Sequence, residues 1–318
     1  HRDLHSFPTR RSSDLSGIKI SVFAGSLPKN TPTGTGMVHF VGKINEYAKG
    51  SVIAEDYYDT QLGDATSMVQ SLQQGTVDIG VSGTAYYSGL VPEVQIFELP
   101  FLFDSIAKAR AAVDGPVSGI LFKKLYDKGI VGLCFWENGF RQLSNDIRPV
   151  KTPDDLKGIK IRTLPAPIQI AAWKALGALP TAIDVAELYT ALQQGTVRAQ
   201  ENPLAEIVFR KFYEVQKYIS LTGHVYTPFL LSMSKITHDK LTEEQRALIL
   251  KAAKEAQKVQ RDAAAQKELE ATKVLLDNGV KIEENPDKAA FKAITSSVYT
   301  MFTDKYGTDL LKMVQETK

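Results

Sequence analysis

One fourteen-residue pattern occurs twice in this chain, and it restricts the fold more than any other feature. Asp64 to Val77 reads DATSMVQSLQQGTV, and Asp184 to Val197 reads DVAELYTALQQGTV, at a constant offset of 120 residues. In each copy an Asp suited to cap a helix opens the run and a Gly suited to stop it closes the run. A strand pattern comes after both. Any helix–Gly–strand unit shares part of this outline, but agreement of cap, stop and strand at one offset points to two lobes built on the same βα plan.

The second copy sits in a longer alternation from Asp154 to Pro203. Thr152-Pro153-Asp154-Asp155 predicts a short helix that Gly158 ends. Ile159 and Ile161 alternate with Lys160 and Arg162, which predicts a strand with Arg162 on its polar face. Ile170, Ala171, Trp173 and Leu176 recur at helical spacing up to Gly177. Asp184 then caps a helix with Glu187 at the capping-box position and Val185, Leu188, Tyr189 and Leu192 on one face. Helices alternating with short strands imply a parallel sheet, which binds ligands beyond the carboxyl ends of its strands. Arg162 lies at one such end, and Asn202 at the end of the strand that begins near Val197. An arginine fork and an amide converging there would grip a carboxylate; a surface ion pair is the alternative for Arg162.

The flanking sequence supplies matching parts. Gly17–Gly25, Ser51–Tyr58 and Thr76–Ser82 read as strands, separated by a helix carrying Met37, Val38, Val41, Ile44 and Tyr47 and by the helix from Asp64. Phe97–Phe103 is a dense apolar run, a buried turn or short strand. Two short helices come next, broken at Asp114-Gly115-Pro116. Ile130–Trp136 reads as a buried strand, and the polar ENGFRQLSN after it places Arg141 where the chain crosses between lobes. Leu204–Val215 is a helix, and Tyr218–Leu221 and Pro228–Ser234 are strands. From Thr242 a capped helical pattern runs to about Asn278-Gly279, ~55 Å at ~1.5 Å per residue. A strut along both lobes fits it better than a coiled coil, since sustained heptads are missing. Val280–Glu284 is a last strand, and the remainder is helical.

Composition narrows the function. Charged residues are 23 % of the 318 and the net charge is +2, which argues against nucleic-acid partners and polybasic membrane binding. The only cysteine, Cys134, lies in an apolar run, so no disulfide forms within the chain. No run of about 18 apolar residues occurs. His39, His224 and His238 have no partners at metal-ligand spacing, and no cofactor motif appears: there is no P-loop, GxSxG or GxGxxG after a strand. Thr33-Gly34-Thr35-Gly36 reads as a loop. The first fifteen residues, HRDLHSFPTRRSSDL, share no period with the remainder of the chain and read as foreign sequence in place of a native start, or as a disordered basic tail.

The chain resembles the solute-binding proteins of TRAP transporters. The resemblance is carried by QLGD (Gln61–Asp64), LQQGTVD (Leu72–Asp78), LPFLF (Leu99–Phe103), GFRQLSN to RPV (Gly139–Val150) and TPDDLKGIKIR (Thr152–Arg162). It continues through LGALPTAIDVAELYTALQQGTV (Leu176–Val197), QENP (Gln200–Pro203) and FYEVQKYISLTGH (Phe212–His224), covering nearly everything after residue 17.

The resemblance implies a two-lobed α/β, periplasmic-binding-protein-like (class II) fold, with a hinge and a long helix spanning both lobes. It implies lobe I from 17–138 plus 226–267, lobe II from 139–225 plus 268–318, and a leader of 1–16. It implies a periplasmic monomer that closes on a small organic acid and hands it to membrane permease subunits; the family's signal peptide is missing, so export rests on the resemblance. The family's carboxylate-binding arginine falls on Arg162, a second cleft arginine on Arg141 and a ligand-contacting asparagine on Asn202. In the sialic-acid branch an acid and an arginine read the sugar where this chain has Gly83 and Tyr86, a cleft asparagine stands where it has Phe23, and a cleft phenylalanine where it has Val185. The expectation is therefore a carboxylate grip with the sugar-reading set lost, and a ligand with a short aliphatic or aromatic body. Phe23, Tyr86 and either Trp136 or Trp173 would supply apolar walls, although Trp173 fits a helix core equally well. An enzyme using Arg141 and Glu137, or a sensory module binding the same acid, are the alternatives.

Overall fold

The computed structural model describes residues 17–317; the leader, residues 1–16, lies outside them. The chain runs β1 (Ile18–Phe23), α1 (Pro32–Ala48), β2 (Val52–Tyr57), α2 (Ala65–Gln74), β3 (Ile79–Gly83), α3 (Ile106–Val113), α4 (Pro116–Asp127) and β4 (Ile130–Asn145). It continues with β5 (Lys160–Thr163), α5 (Pro167–Ala175), β6 (Leu179–Ala182), α6 (Val185–Gln193), β7 (Ala199–Asn202), α7 (Leu204–Phe209) and β8 (Tyr218–Ser234). The last elements are α8 (Lys235–Lys240), α9 (Glu243–Asp277), β9 (Lys281–Glu283), α10 (Lys288–Thr295), α11 (Ser297–Tyr306) and α12 (Asp309–Glu316).

One sheet threads the two lobes in the order β2-β1-β3-β8-β4-β7-β5-β6, with β9 beside β8. Its two ends are the duplicated unit: β1 pairs in parallel with β2 and β3, and β5 with β6 and β7. The repeated sequence forms α2–β3 and α6–β7. Gly75 and Gly195 turn the chain after each helix at φ of 71° and 72°, a conformation that glycine adopts without steric cost. The antiparallel strands β4 and β8 lie between these ends. β8 meets β3 through Phe229–Met233, and β4 meets β7 through Gln142–Asn145.

Two strands are longer than hydrophobic pattern predicts. Ile130–Trp136 and the polar ENGFRQLSN are one 16-residue strand, and Tyr218–Leu221 and Pro228–Ser234 are one 17-residue strand. Hydrophobic period cannot find them because their middle buries polar groups that satisfy one another across the pair. Asn138 Nδ2, for example, donates to Thr227 Oγ1 at 3.0 Å. Register shifts fall at Gly132/Cys134, Glu137/Gly139 and Arg141/Leu143, the last two at the crossing. Phe97–Phe103 forms no strand: a 3-10 turn over Pro92–Glu98 leads into turns in which Phe101 takes a φ of 57°. The segment from Pro153 is likewise a 3-10 turn, Pro153–Leu156.

The strut is present. The Thr242 and Gln245 side chains form the capping box of α9, a 35-residue helix. Its Ile249, Ala252, Ala253 and Ala256 pack in the core under β1 and α1, whereas Ala271 and Leu275 pack with Leu188, Leu192 and Ile207 of the other lobe. The C-terminal helices pack against elements of both lobes. Val298 and Phe302 of α11 and Leu310 and Val314 of α12 lie in one core with Val117 and Leu121 of α4 and with Ile168 and Ala172 of α5.

Candidate functional site

A cavity opens between the lobes at the carboxyl ends of β1, β3, β5 and β7, the ligand position of an open parallel sheet. Arg162, third residue of β5, is fully buried at 0 % exposure and lines it. Its Nε donates to the Ile183 carbonyl at 2.8 Å, and its Nη2 lies 3.4 Å from the Tyr86 hydroxyl. Nη1 is buried with no partner, and no carboxylate pairs with this guanidinium among the described residues. Burial, the largest influence, pulls Arg162 below the ordinary arginine range; the Tyr86 hydroxyl opposes that, and the like charge of Arg141 adds to it. An arginine does not relieve such strain by losing its proton near neutrality. What relieves it is an anion.

Arg141 is equally buried but already paired. Its Nε donates to Glu201 Oε2, its Nη2 to Glu201 Oε1 at 2.9 Å and to Asn202 Oδ1 at 3.0 Å, and its Nη1 only to Thr227 Oγ1 at 3.3 Å. His224 Nε2 meets Glu201 at 3.2 Å, and Thr222 holds the other ring nitrogen at 2.8 Å. Burial works to raise the Glu201 pKa, but the Arg141 charge and the His224 contact outweigh it and hold this carboxyl at about 2. Burial also works against the Arg141 charge, and Glu201 more than offsets that. Asn202 spends its amide on Arg141 and on Gln200 Oε1, 2.6 Å away. Both residues line the cavity, with most of their hydrogen-bonding capacity used to hold each other in place.

Tyr86 and Val185 also line the cavity. Three residues expected there do not. Phe23 is fully buried among Met68, Phe97 and Tyr226, because alternation along β1 turns it under the sheet while Ala24 reaches the cavity. Trp136 is buried beneath α1, where a Cβ on Gly36 would sit 3.1 Å from its Cη2. Glu137 is held by Arg110 at 2.6 and 2.9 Å. Trp173, open to either reading, is buried edge-to-face against His224 with centroids 5.1 Å apart.

The polar lining comes from positions that carry no motif. Ser26, Ser82 and Asn138 each present a buried oxygen with no partner (Oγ, Oγ and Oδ1) in a cavity wall otherwise built largely of apolar groups such as Leu27, Val81, Leu164 and Phe229. Glu98 lines it too, as do Glu206 and Arg210, an i,i+4 pair at 2.9 Å that begins on α7 and whose Arg210 Nη1 reaches the Ser26 carbonyl at 3.3 Å. The Glu206/Arg210 spacing after QENP is visible in the sequence; the serines give no signal there. Among the described residues no cluster of metal-ligating side chains occurs, and no helix is long and apolar enough to cross a membrane.

The duplicated helices meet at the cavity mouth. Asp184 caps α6 through the Ala186 N–H at 2.9 Å, and its other oxygen accepts from Thr66 N and Thr66 Oγ1 of α2 at 3.1 and 2.7 Å. Glu187 makes no reciprocal bond; the second oxygen of its intended partner is turned across the cleft.

Comparison with known proteins identifies the family. Residues 23–305 match the family described as bacterial extracellular solute-binding protein, family 7 (DctP). The 2,3-diketo-L-gulonate-binding periplasmic protein YiaO of Escherichia coli is 38 % identical over 86 % of this chain and 85 % of its own. A TRAP periplasmic solute-binding protein of Polaromonas, solved bound to D-erythronate, superposes at a TM-score of 0.91 with 33 % identity, covering 95 % of this chain and 99 % of that one. The sugar acid binding protein DctPAm of Advenella mimigardefordensis, solved with galactonate, also gives 0.91, with 34 % identity over 96 % and 98 %. These are receptors of transport systems and not enzymes, and the chain is a member of the bacterial extracellular solute-binding protein family 7, the DctP family of TRAP-transporter receptors.

Proposed function

We propose that this receptor captures a small polyhydroxylated carboxylate, an aldonate or a keto or uronic sugar acid, with Arg162 as the carboxylate anchor. The observation that carries the reading is the buried, unpartnered Nη1 of Arg162 in a cavity whose wall also offers the free oxygens of Ser26, Ser82 and Asn138. A guanidinium fork answers the carboxylate, and lone hydroxyl and amide oxygens answer sugar hydroxyls; leaving either set unanswered in a dry cavity costs about 1–3 kcal/mol per group. The acids named for the three relatives, 2,3-diketo-L-gulonate, D-erythronate and galactonate, share this chemistry. Arg141 and Asn202 act as a preformed support beside the anchor. The lobes close about the crossing of β4 and β8, and the closed monomer, outside the cytoplasmic membrane, presents its cargo to TRAP permease subunits.

Calorimetry with D-erythronate, D-galactonate, 2,3-diketo-L-gulonate, succinate and sialic acid tests this. One of the first three is expected to bind most tightly. Truncating one side of a desolvated charge pair costs about 2–5 kcal/mol, so Arg162→Ala is expected to weaken binding at least about thirty-fold. A folded Arg162→Ala within about three-fold of the parent removes Arg162 from the role.

A further inference from the structure

Four glutamates are buried around the cavity, and they are not equivalent. Glu137 is bound by Arg110, Glu201 by Arg141 and Glu206 by Arg210. Glu98, at 0 % exposure, has no arginine or lysine. Its Oε1 accepts from Thr84 Oγ1 at 3.1 Å and its Oε2 from Gln169 Nε2 at 2.6 Å. It forms part of the wall of the ligand cavity and of a second, smaller cavity behind it, which Trp173 and His224 also line. Arg162 is the mirror case, a buried cation with no carboxylate. The enclosure therefore holds one unpaired positive and one unpaired negative group, every other charge in its wall being matched.

With the site empty, those two charges balance. Once a bound carboxylate neutralises Arg162, an ionised Glu98 is a surplus negative charge in a dry space shared with a like-charged ligand. Both of its partners suit either protonation state. A hydroxyl donates or accepts, and Gln169, whose Oε1 is buried without a partner, presents that acceptor to a Glu98 O–H after its amide turns over. The other titratable groups facing Glu98 are Arg141 on β4, Glu201 on β7, His224 on β8, and Tyr86 and Arg162 across the cavity. Arg141 favours the charged form more than Glu201 opposes it, and the Gln169 and Thr84 hydrogen bonds also favour it. Burial, the leading influence, already pushes Glu98 up to about 7 without ligand.

We propose that Glu98 takes up a proton from solvent when the organic anion binds at Arg162, so that above neutral pH the receptor captures anion and proton together. The step is protonation of a carboxylate to a carboxylic acid, with no electron transfer. It rests on the carboxylate reading of Arg162.

The test is calorimetry on the whole protein with sodium D-galactonate, or D-erythronate or 2,3-diketo-L-gulonate if one of these is the tighter ligand, in phosphate and in Tris at about pH 8 and in MES and in Bis-Tris at about pH 5.5. The difference in buffer ionisation enthalpy gives the protons exchanged. Uptake approaching one proton per ligand is expected at about pH 8 and near none at about pH 5.5, with affinity falling about tenfold per pH unit above neutrality. Glu98→Gln is expected to abolish the uptake and to flatten the pH profile. Parent protein binding with less than about a fifth of a proton taken up at about pH 8 overturns the proposal. So does undiminished uptake in Glu98→Gln, which assigns the proton to another group such as His224. If that variant does not fold, the parent's pH profile decides alone. Failure of all three acids to bind overturns the reading of the site itself, whereas binding without uptake overturns only the proton linkage.

Discussion

Arg141 and Arg162 show how alike two residues look in sequence and how unlike they are in energy. Both are buried arginines on strands of the same sheet. Arg141 has a carboxylate bound to two of its nitrogens, whereas Arg162 has a carbonyl, a distant hydroxyl and an unpartnered Nη1. Removing Arg141 strands Glu201 in a dry interior, so Arg141→Ala is expected to cost about 3–5 kcal/mol of stability. Removing Arg162 takes away a charge that the empty protein does not compensate. Arg162→Met is therefore expected to melt at or above the parent's temperature without ligand while losing ligand-induced stabilisation. Differential scanning calorimetry with and without D-galactonate measures both. Equal destabilisation by the two substitutions would contradict the distinction.

At the scale of elements, the duplicated unit is the most legible part of the chain. Asp64, Gly75, Asp184 and Gly195 mark the ends of two helices in the sequence, and the structure places cap and turn at each. What escapes is any element whose burial is polar. β4 and β7 carry Ser144, Asn145, Gln200, Glu201 and Asn202 inward, and Gln200 Nε2 to Ser144 Oγ at 2.6 Å is one of the bonds that make this possible. Periodicity scores such residues as loop. The cavity obeys the same rule: Arg162 is found because a charge at a strand end is conspicuous, whereas Ser26 and Ser82 are ordinary residues until their missing partners are seen. Phe23 and Trp136 are misplaced because alternation tells which residues share a face without telling which face meets the cleft. The Asp184 carboxylate that serves both copies yields a prediction at this scale. Thr66→Val keeps the Asp64 cap of α2 but removes one cross-cleft bond. At an exposed site, about 0.5–1.5 kcal/mol is expected, a two- to ten-fold loss of affinity taken mainly in faster dissociation. Stopped-flow displacement of D-galactonate reads it; an unchanged rate means the contact does not hold the lobes together.

For the whole molecule, ligand is expected to shift an equilibrium between open and closed lobes, since Arg162 and the Asp184–Thr66 contact draw on both sides of the cleft. Small-angle scattering on adding D-galactonate is expected to show a smaller radius of gyration, and an unchanged profile at saturation would favour a rigid receptor. How such a molecule bends is set by β4 and β8, which pass through both lobes as one hydrogen-bonded pair with register shifts at the crossing. A joint made this way is a flexure and not a pin. Its rest angle is an elastic property of the ribbon, and the irregular positions take up the twist while the regular pairs on either side stay zipped. The joint should therefore leave little trace in amide exchange: strands on both sides protected with and without cargo, and changes confined to the few residues around Gly139 and Arg141. Tuning the receptor's preference for open or closed then needs no change at the cleft, because stiffening or loosening that short twist shifts affinity for every cargo by the same factor.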